Sequence, residues 1–323
     1  MEMSLRSVAF ILLACAPMCV AAAKKTPAKK PALAPRLNRS IPDEESAPPQ
    51  KLEPRNFHRL APGELPLAAK GAIVLDSYTG RTLYEKNADA PQYPASTTKI
   101  MTALLVIEEG NLEREVEITD EDARVGESSL NIRPGERYTR RQMLYGLMLK
   151  SANDVAHALG RDNAGTAGTF ALKMTIRARE LGATTTNFRN ANGLHDKEHY
   201  TTPRDLALIA RAAMQQPFFR QLVSTLEHPW VTNNAVRQLR NHNRLLTQFP
   251  GCIGVKTGYT YPAQQVLASA ALRENREVLA VIMHSDKPGI WEDSKLLLTY
   301  GFAHQPGAAV AEVPVPRQTA SRP

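Results

Sequence analysis

The chain has 323 residues, 43% of them hydrophobic, which is enough to bury one large core, or one core divided between two lobes, with tails outside it. Its formal net charge is +8, and much of this comes from residues 24–60, where nine Lys or Arg stand against four Asp or Glu. A basic surplus confined to a tail argues against nucleic acid as a partner. It suggests either a solvated spacer or loose association with anionic envelope polymers and lipid headgroups.

Residues 1–23 have the pattern of a secretory signal peptide. A charged start is followed by an apolar run over residues 8–20 and by a small-residue cleavage site at Ala23. The run is too short for a bilayer-spanning helix. We therefore expect an exported protein on the periplasmic or cell-wall side. A second route stays open, because Leu12-Leu-Ala-Cys15 resembles the lipobox of bacterial lipoproteins, in which the cysteine is lipidated.

The rest of the chain divides into three segments. Residues 24–62 are rich in Pro and Lys and predict a disordered linker, residues 63–304 carry the regular patterns, and residues 305–323 predict a disordered tail. If the signal is cleaved after Ala23, Cys252 is the one cysteine left, so no internal disulfide can form. Its place at the start of an apolar strand predicts a small buried side chain and not a nucleophile.

Within the 63–304 segment, strand patterns lie at both ends and helical patterns lie between them. The predicted elements are strands over 71–75 and 81–85, a helix from Thr97 to the stop at Gly110, helices over 141–149, 154–160, 167–181 and 202–214, strands over 265–272 and 277–284, and a last helix over 291–300. This order predicts an α+β fold, an antiparallel sheet flanked by helices with an inserted helical lobe. The cleft between the two lobes is the expected site.

Three short motifs occur in order in this segment: Ser96-Thr-Thr-Lys99, Ser151-Ala-Asn153 and Lys256-Thr257-Gly258. Each is a weak signal alone, since a Ser-x-x-Lys or a Ser-x-Asn occurs about once in a chain of this length, and a Lys-Thr-Gly in about one such chain in fifteen. A second Ser-x-Asn begins at Ser129, but it lies in a segment that alternates and then turns like a strand end. We therefore prefer Ser151, which stands between two apolar helices.

The three motifs together fit nucleophilic catalysis. Ser96 is expected at the N-terminus of a helix, where backbone N–H groups favour developing negative charge, and Lys99 lies one turn later on the same face. A lysine can take the proton of a serine only when burial and a second cation lower its pKa, and Lys256 is the candidate for that cation. Ser151 can pass a proton to a leaving amine, and the Asn153 amide can hold the substrate backbone.

The third motif is expected on a strand, where Lys256 and Gly258 point to one face and Thr257 to the other. The missing side chain at Gly258 leaves room for a peptide against the strand edge.

These motifs, in this order and at these separations, resemble those of the penicillin-binding proteins and serine β-lactamases. Six longer stretches are similar to the low-molecular-mass D-alanyl-D-alanine carboxypeptidases: Tyr93–Leu104, Leu149–Val155, Asn192–His195, Tyr200–Leu206, Asn241–Leu246 and Gly254–Thr260. The resemblance covers roughly residues 65–303. It implies a β-lactamase-like fold and a serine acyl-enzyme formed on the terminal D-Ala-D-Ala of peptidoglycan stem peptides, with β-lactam antibiotics as acylating inhibitors and no cofactor or metal.

The resemblance also implies a role for each residue of the motifs. Ser96 is the nucleophile and Lys99 its base, Ser151 and Asn153 form the second element, Lys256 and Thr257 of the Lys-Thr-Gly motif grip the substrate carboxylate, and the backbone N–H groups of Ser96 and Tyr259 form the oxyanion hole.

Alternatives to a carboxypeptidase are a D,D-endopeptidase that cleaves cross-links, a β-lactamase, and a wall-binding protein without turnover. A β-lactamase is disfavoured because no Glu-x-x-x-Asn follows Ser151 by thirty to forty residues. A protein without turnover is disfavoured by the intact Ser96 and Lys99. Relatives commonly have Ala-Gly where this chain has Tyr261-Pro-Ala-Gln264, so the rim beside the oxyanion strand differs.

Two other groups of polar residues are expected to be structural or solvent-exposed and not functional. His195 and His199, with Asp196 between them, have the His-x-x-x-His spacing of a metal site. They sit in a glycine-containing loop without a further ligand nearby in sequence, and we expect a structural loop. Arg140 and Arg141 are expected on a solvent-exposed face.

Overall fold

The computed structural model describes residues 64–232 and 235–305. The predictions for the signal peptide at residues 1–23 and for the linker at 24–62 fall on residues outside this part, as does the predicted tail after Gln305. The Gln305 side chain itself is buried and donates a hydrogen bond to Asp76 Oδ2 at 2.8 Å.

Most strands belong to one antiparallel sheet. The strands are β1 (Gly71–Asp76), β2 (Thr82–Lys86), β3 (Glu115–Glu117), β4 (Arg137–Thr139), β5 (Glu227–Val231), β6 (Val236–Arg240), β7 (Cys252–Thr260), β8 (Gln264–Arg273) and β9 (Arg276–Ser285). Five of them pair in the order β2-β1-β9-β8-β7, so β7 lies at an edge, and β3–β4 and β5–β6 form two small separate sheets. The prediction of one antiparallel sheet assembled from both ends of the segment is confirmed.

Helices fill the chain between the strands. They are α1 (Lys99–Glu109), α2 (Asp120–Ala123), α3 (Arg140–Leu149), α4 (Asn153–Ala164), α5 (Ala167–Glu180), α6 (Pro203–Met214), α7 (Pro217–Ser224), α8 (Leu245–Gln248) and α9 (Gly289–His304). The predicted helices and the α+β class are confirmed, whereas α7 and the β5–β6 hairpin were not predicted. In the described ranges, no helix combines the length and apolarity that crossing a membrane requires.

Apolar residues cover both faces of the large sheet. In β1, Ile73 packs in one core cluster with Leu104 of α1, while its neighbour Val74 packs in a second cluster with Leu298 of α9. This follows from the two-residue period of a strand, which sends successive side chains to opposite faces. A sheet covered on both sides explains why β8 and β9 are continuous apolar runs and do not alternate.

The expectation for Arg140 was wrong. Its side chain is buried, with Nε 2.7 Å from Asp162 Oδ2 and Nη2 2.8 Å from Glu109 Oε1, and it also donates to the carbonyl of Gly110. A guanidinium tolerates burial when its charge is paired and its N–H groups have acceptors. Arg140 thereby joins the end of α1 to α3 and α4. Arg141 is partly exposed, as expected.

Candidate active site

Ser96 lies in a single 3-10 turn, Ala95–Thr98, that leads directly into α1. The sequence predicted a helix from Thr97, and the regular α-helix begins two residues later. Ala95 has a φ of 47°, a left-handed conformation that is uncommon for a residue with a side chain. The turn is buried apart from Ser96, whose side chain is partly exposed. The fold therefore presents one hydroxyl from an otherwise enclosed turn.

The Lys99 amine lies at the centre of the site and is fully buried. Its Nζ is 2.9 Å from Ser96 Oγ, 2.7 Å from Asn153 Oδ1 and 2.6 Å from the carbonyl oxygen of Asn192. The two asparagine oxygens can only accept hydrogen bonds, whereas the serine hydroxyl can also donate. A neutral amine that gives its two hydrogens to Asn153 and Asn192 therefore directs its lone pair at Ser96.

Electrostatics favour that neutral amine. Burial is the largest cause that holds the pKa of Lys99 well below its usual range, and the positive charge of Lys256 lowers it further. The charges of Asp154 and Glu127 act in the opposite direction. The predicted second cation thus lies close enough to act on Lys99.

Ser151 and Lys256 meet across the cleft. Lys256 Nζ is 3.1 Å from Ser151 Oγ and 2.8 Å from the carbonyl oxygen of Thr257. Burial lowers the pKa of Lys256 to about 7. Ser151 joins α3 to α4 with a φ of 62°, so a left-handed residue turns the second motif toward β7. The competing Ser129 does not take this place, since its hydroxyl donates to the buried Asp154.

Asn153, predicted to hold the substrate backbone, uses its amide within the site. Its Oδ1 accepts from Lys99 Nζ, and its Nδ2 donates to the carbonyl of Gly126 at 3.2 Å. The backbone N–H of Asn153 also donates to the carbonyl of Ser128 at 2.6 Å. These contacts make Asn153 a positioning residue for Lys99 in addition to any role toward substrate.

Gly258 lies against the nucleophile turn. A Cβ at this position would be 2.9 Å from the backbone N of Ser96, 3.1 Å from that of Thr97 and 3.2 Å from Ala95 Cβ. The sequence interpretation assigned the glycine to peptide binding at the strand edge, whereas the contact found is with the turn. On the same edge strand, Thr257 is half-buried and Tyr259 is 55% exposed.

The loop that carries the Asn192 carbonyl was not identified as part of the site. Gly193 has a φ of 84°, and a Cβ there would lie only 1.9 Å from the Ala95 carbonyl oxygen, so the loop packs directly on the nucleophile turn. His199 stabilises the same loop. Its Nε2 lies 2.8 Å from Thr98 Oγ1, and its Nδ1 accepts a hydrogen bond from the Arg189 N–H. The one sequence signal was the family-like stretch that begins at Asn192.

His199 is therefore a structural residue of the loop. Burial lowers its pKa to about 3, so the ring is neutral, and its two nitrogens are both hydrogen-bonded. Over residues 64–232 and 235–305, no three His, Cys, Asp or Glu side chains come close enough to hold a metal ion. Cys252 is buried with its pKa raised by burial to about 11, which confirms the predicted small buried side chain.

Comparisons with known proteins agree with this geometry. Residues 58–287 match the family described as D-alanyl-D-alanine carboxypeptidase. The chain is 34% identical to carboxypeptidase DacF of Bacillus subtilis over 70% of its own length and 59% of that protein, and 34% identical to DacB2 of Mycobacterium tuberculosis over 75% and 84%. The crystal structure of the Streptomyces K15 DD-transpeptidase is similar, with 35% identity, a TM-score of 0.70, and coverage of 73% of this chain and 98% of that one.

The family match spans more than half of the chain, and the fold and the enzyme class predicted from the motifs are both confirmed. The chain belongs to the D-alanyl-D-alanine carboxypeptidase family, the serine-type, penicillin-binding hydrolases.

Proposed function

We propose that this chain removes the terminal D-Ala from peptidoglycan stem peptides that end in D-Ala-D-Ala, through an acyl-enzyme on Ser96. The observation that carries the proposal is the hydrogen bonding of the Lys99 amine. Its two hydrogens go to the oxygens of Asn153 and Asn192, which can only accept, so its lone pair points at the Ser96 hydroxyl. Its lowered pKa supplies a base without a histidine.

In the acylation step, Lys99 takes the Ser96 proton while Oγ attacks the carbonyl carbon of the penultimate D-Ala. The negative charge on the carbonyl oxygen is stabilised by the backbone N–H groups of Ser96 and Tyr259. The C–N bond then breaks, and Ser151 donates a proton to the leaving amine and recovers one from the lysine pair Lys99 and Lys256. Water hydrolyses the ester with Lys99 again as base, which regenerates Ser96.

The leaving D-Ala carries a free carboxylate, and the binding of this group positions the substrate in the site. Lys256 and the Thr257 hydroxyl offer a charge-assisted grip beside Ser151. A cross-linked peptide also presents a carboxylate beside its scissile bond, so endopeptidase activity is the alternative. We expect both substrates to be cleaved and the linear pentapeptide to be preferred.

Parallel incubation of a D-Ala-D-Ala pentapeptide and a cross-linked dimer, followed by mass spectrometry, tests the proposal. Loss of one D-Ala from the pentapeptide at the higher rate supports a carboxypeptidase. Cleavage of the dimer alone would make the chain an endopeptidase, and cleavage of neither would overturn the proposal. Ser96→Ala serves as the blank for both reactions.

We also propose that the protein is exported and acts on the periplasmic or cell-wall side. Support comes from the signal-like residues 1–23, from the basic linker that follows, and from a substrate that lies outside the cytoplasm. Intact-mass analysis of the exported protein distinguishes cleavage near Ala23 from lipidation of Cys15. Fractionation at low and high salt then tests whether the linker associates loosely with the envelope.

A further inference from the structure

Glu127 lies on the loop that supports Asn153. Its two neighbours hold that residue, because the Gly126 carbonyl accepts from Asn153 Nδ2 and the Ser128 carbonyl accepts from the Asn153 backbone N–H. Glu127 itself is exposed and has a φ of 65°. A non-glycine residue in this left-handed conformation is held in place by its surroundings. The exposed carboxylate of Glu127 therefore belongs to the residue between the two carbonyl groups that accept hydrogen bonds from Asn153.

The Glu127 carboxylate lacks a neutralising partner. Throughout the described ranges 64–232 and 235–305, no hydrogen bond or ion pair reaches it, while most other acidic groups around the helical lobe are paired with arginine. Its charge acts on the buried Lys99, whose pKa it raises. An unpaired negative charge at the edge of the cleft is therefore available to a ligand.

Basic residues lie beside Ser151. Lys256 Nζ contacts Ser151 Oγ, and Lys150 is the residue before Ser151 in the sequence. The site therefore combines a buried lysine on β7, Lys256, with an exposed carboxylate on the loop that supports Asn153.

We propose that Glu127 is a specificity-determining residue that binds an ammonium-bearing side chain on the acyl side of the scissile bond. The inference rests on the proposed function, in which Lys256 and Thr257 hold the terminal carboxylate. A peptide anchored there crosses Ser96 and continues toward Asn153, and its acyl-side residue then comes to the Glu127 loop. The role of Glu127 is therefore tested with peptides whose residue before D-Ala-D-Ala does or does not carry a free side-chain amine.

The test compares two peptides that differ only in that charge, Nα-acetyl-Lys-D-Ala-D-Ala and Nα,Nε-diacetyl-Lys-D-Ala-D-Ala. An exposed ion pair changes a rate by no more than about fivefold, so we expect kcat/KM to favour the free amine by about threefold at low salt, with the preference shrinking at high salt. Glu127→Gln should bring the ratio to about one, and Glu127→Lys should invert it. The effect of Glu127 on the pKa of Lys99 is the same for both peptides, so it cancels in the ratio of their kcat/KM values.

Glu115→Gln is the matched control, because it removes one exposed carboxylate from β3, away from the cleft, and should keep the wild-type ratio. A wild-type ratio of one, or a preference that survives in Glu127→Gln, overturns the role of Glu127. The same peptides are also compared as competitors of penicillin labelling. If neither peptide is hydrolysed, the proposed function fails separately, and equal competition in that assay still overturns the role of Glu127.

Discussion

Lys99 Nζ lies 2.9 Å from Ser96 Oγ, and its other two hydrogen-bond partners are oxygens that cannot donate. The contact between lysine and serine comes from helical spacing, since residues three apart lie on one face. The direction of the lone pair comes from two separate elements, α4 with Asn153 and the loop with Asn192. The chemistry of the site thus depends on three parts of the chain that meet at one amine.

Replacing Ser96 by Ala should abolish covalent labelling by penicillin. Only a partly exposed hydroxyl is lost, so the melting temperature should stay within a few degrees of the wild-type value. Gel fluorescence with a labelled penicillin, together with thermal unfolding, checks both outcomes. A Ser96→Ala protein that still labels would place the nucleophile elsewhere.

Lys99→Arg should lower the rate of acylation by at least about 10²-fold, the lower end of what a general base contributes. The substitution keeps the positive charge, but a guanidinium does not release its proton in this pH range. The second-order rate of penicillin labelling is the measurement, and Lys173→Arg on the surface is the control. Near-normal labelling of Lys99→Arg would rule out the neutral lysine as base.

The sequence was most informative where chemistry is local. The Ser96–Lys99 spacing, the continuous apolar runs of β8 and β9, and the stop at Gly110 each follow from a few adjacent residues. The Asn192 carbonyl was not identified, because a backbone oxygen carries no residue-type signal and lies 93 residues from Lys99 along the chain. The burial of Arg140 was missed for a related reason, since its partner Asp162 is distant in sequence.

Gly258 was correctly predicted as a residue of the site, but the sequence indicated only part of the reason for a glycine there. Its identity was predicted, but its contact with the backbone of Ser96 depends on how β7 docks against the nucleophile turn. No pattern in either segment alone encodes that docking. The same holds for Asn153, whose spacing in the motif does not show that its amide also orients Lys99.

Gly258→Ala should reduce acylation by about 10²-fold or more. The added Cβ would press on the backbone N atoms of Ser96 and Thr97, which cannot move as a flexible side chain can, and would disturb a donor of the proposed oxyanion hole. Gly168→Ala in α5 is the matched control, because a Cβ there meets nothing within 4 Å. Equal labelling rates for the two variants would contradict the contact.

The pH dependence of the reaction should depend on Lys256. Its pKa of about 7 means that the charge needed to hold a carboxylate is present below pH 7 and is lost as the pH rises through that value. Lys99, in contrast, must be neutral to act as a base, and its lowered pKa extends the pH range in which it is neutral. Because the two lysines interact, the apparent pKa values belong to the pair.

We therefore expect kcat/KM for a D-Ala-D-Ala peptide to fall on the alkaline side of about pH 7, since this parameter reports the free enzyme. In the complex, the substrate carboxylate stabilises the protonated Lys256, so the corresponding fall in kcat should lie at higher pH. Lys256→Arg, whose charge persists above pH 12, should lose this alkaline fall whatever its absolute rate. Profiles of both parameters from pH 5 to 10 are the measurement. An alkaline fall of kcat/KM that stays at the same pH in Lys256→Arg would assign the titration to another group.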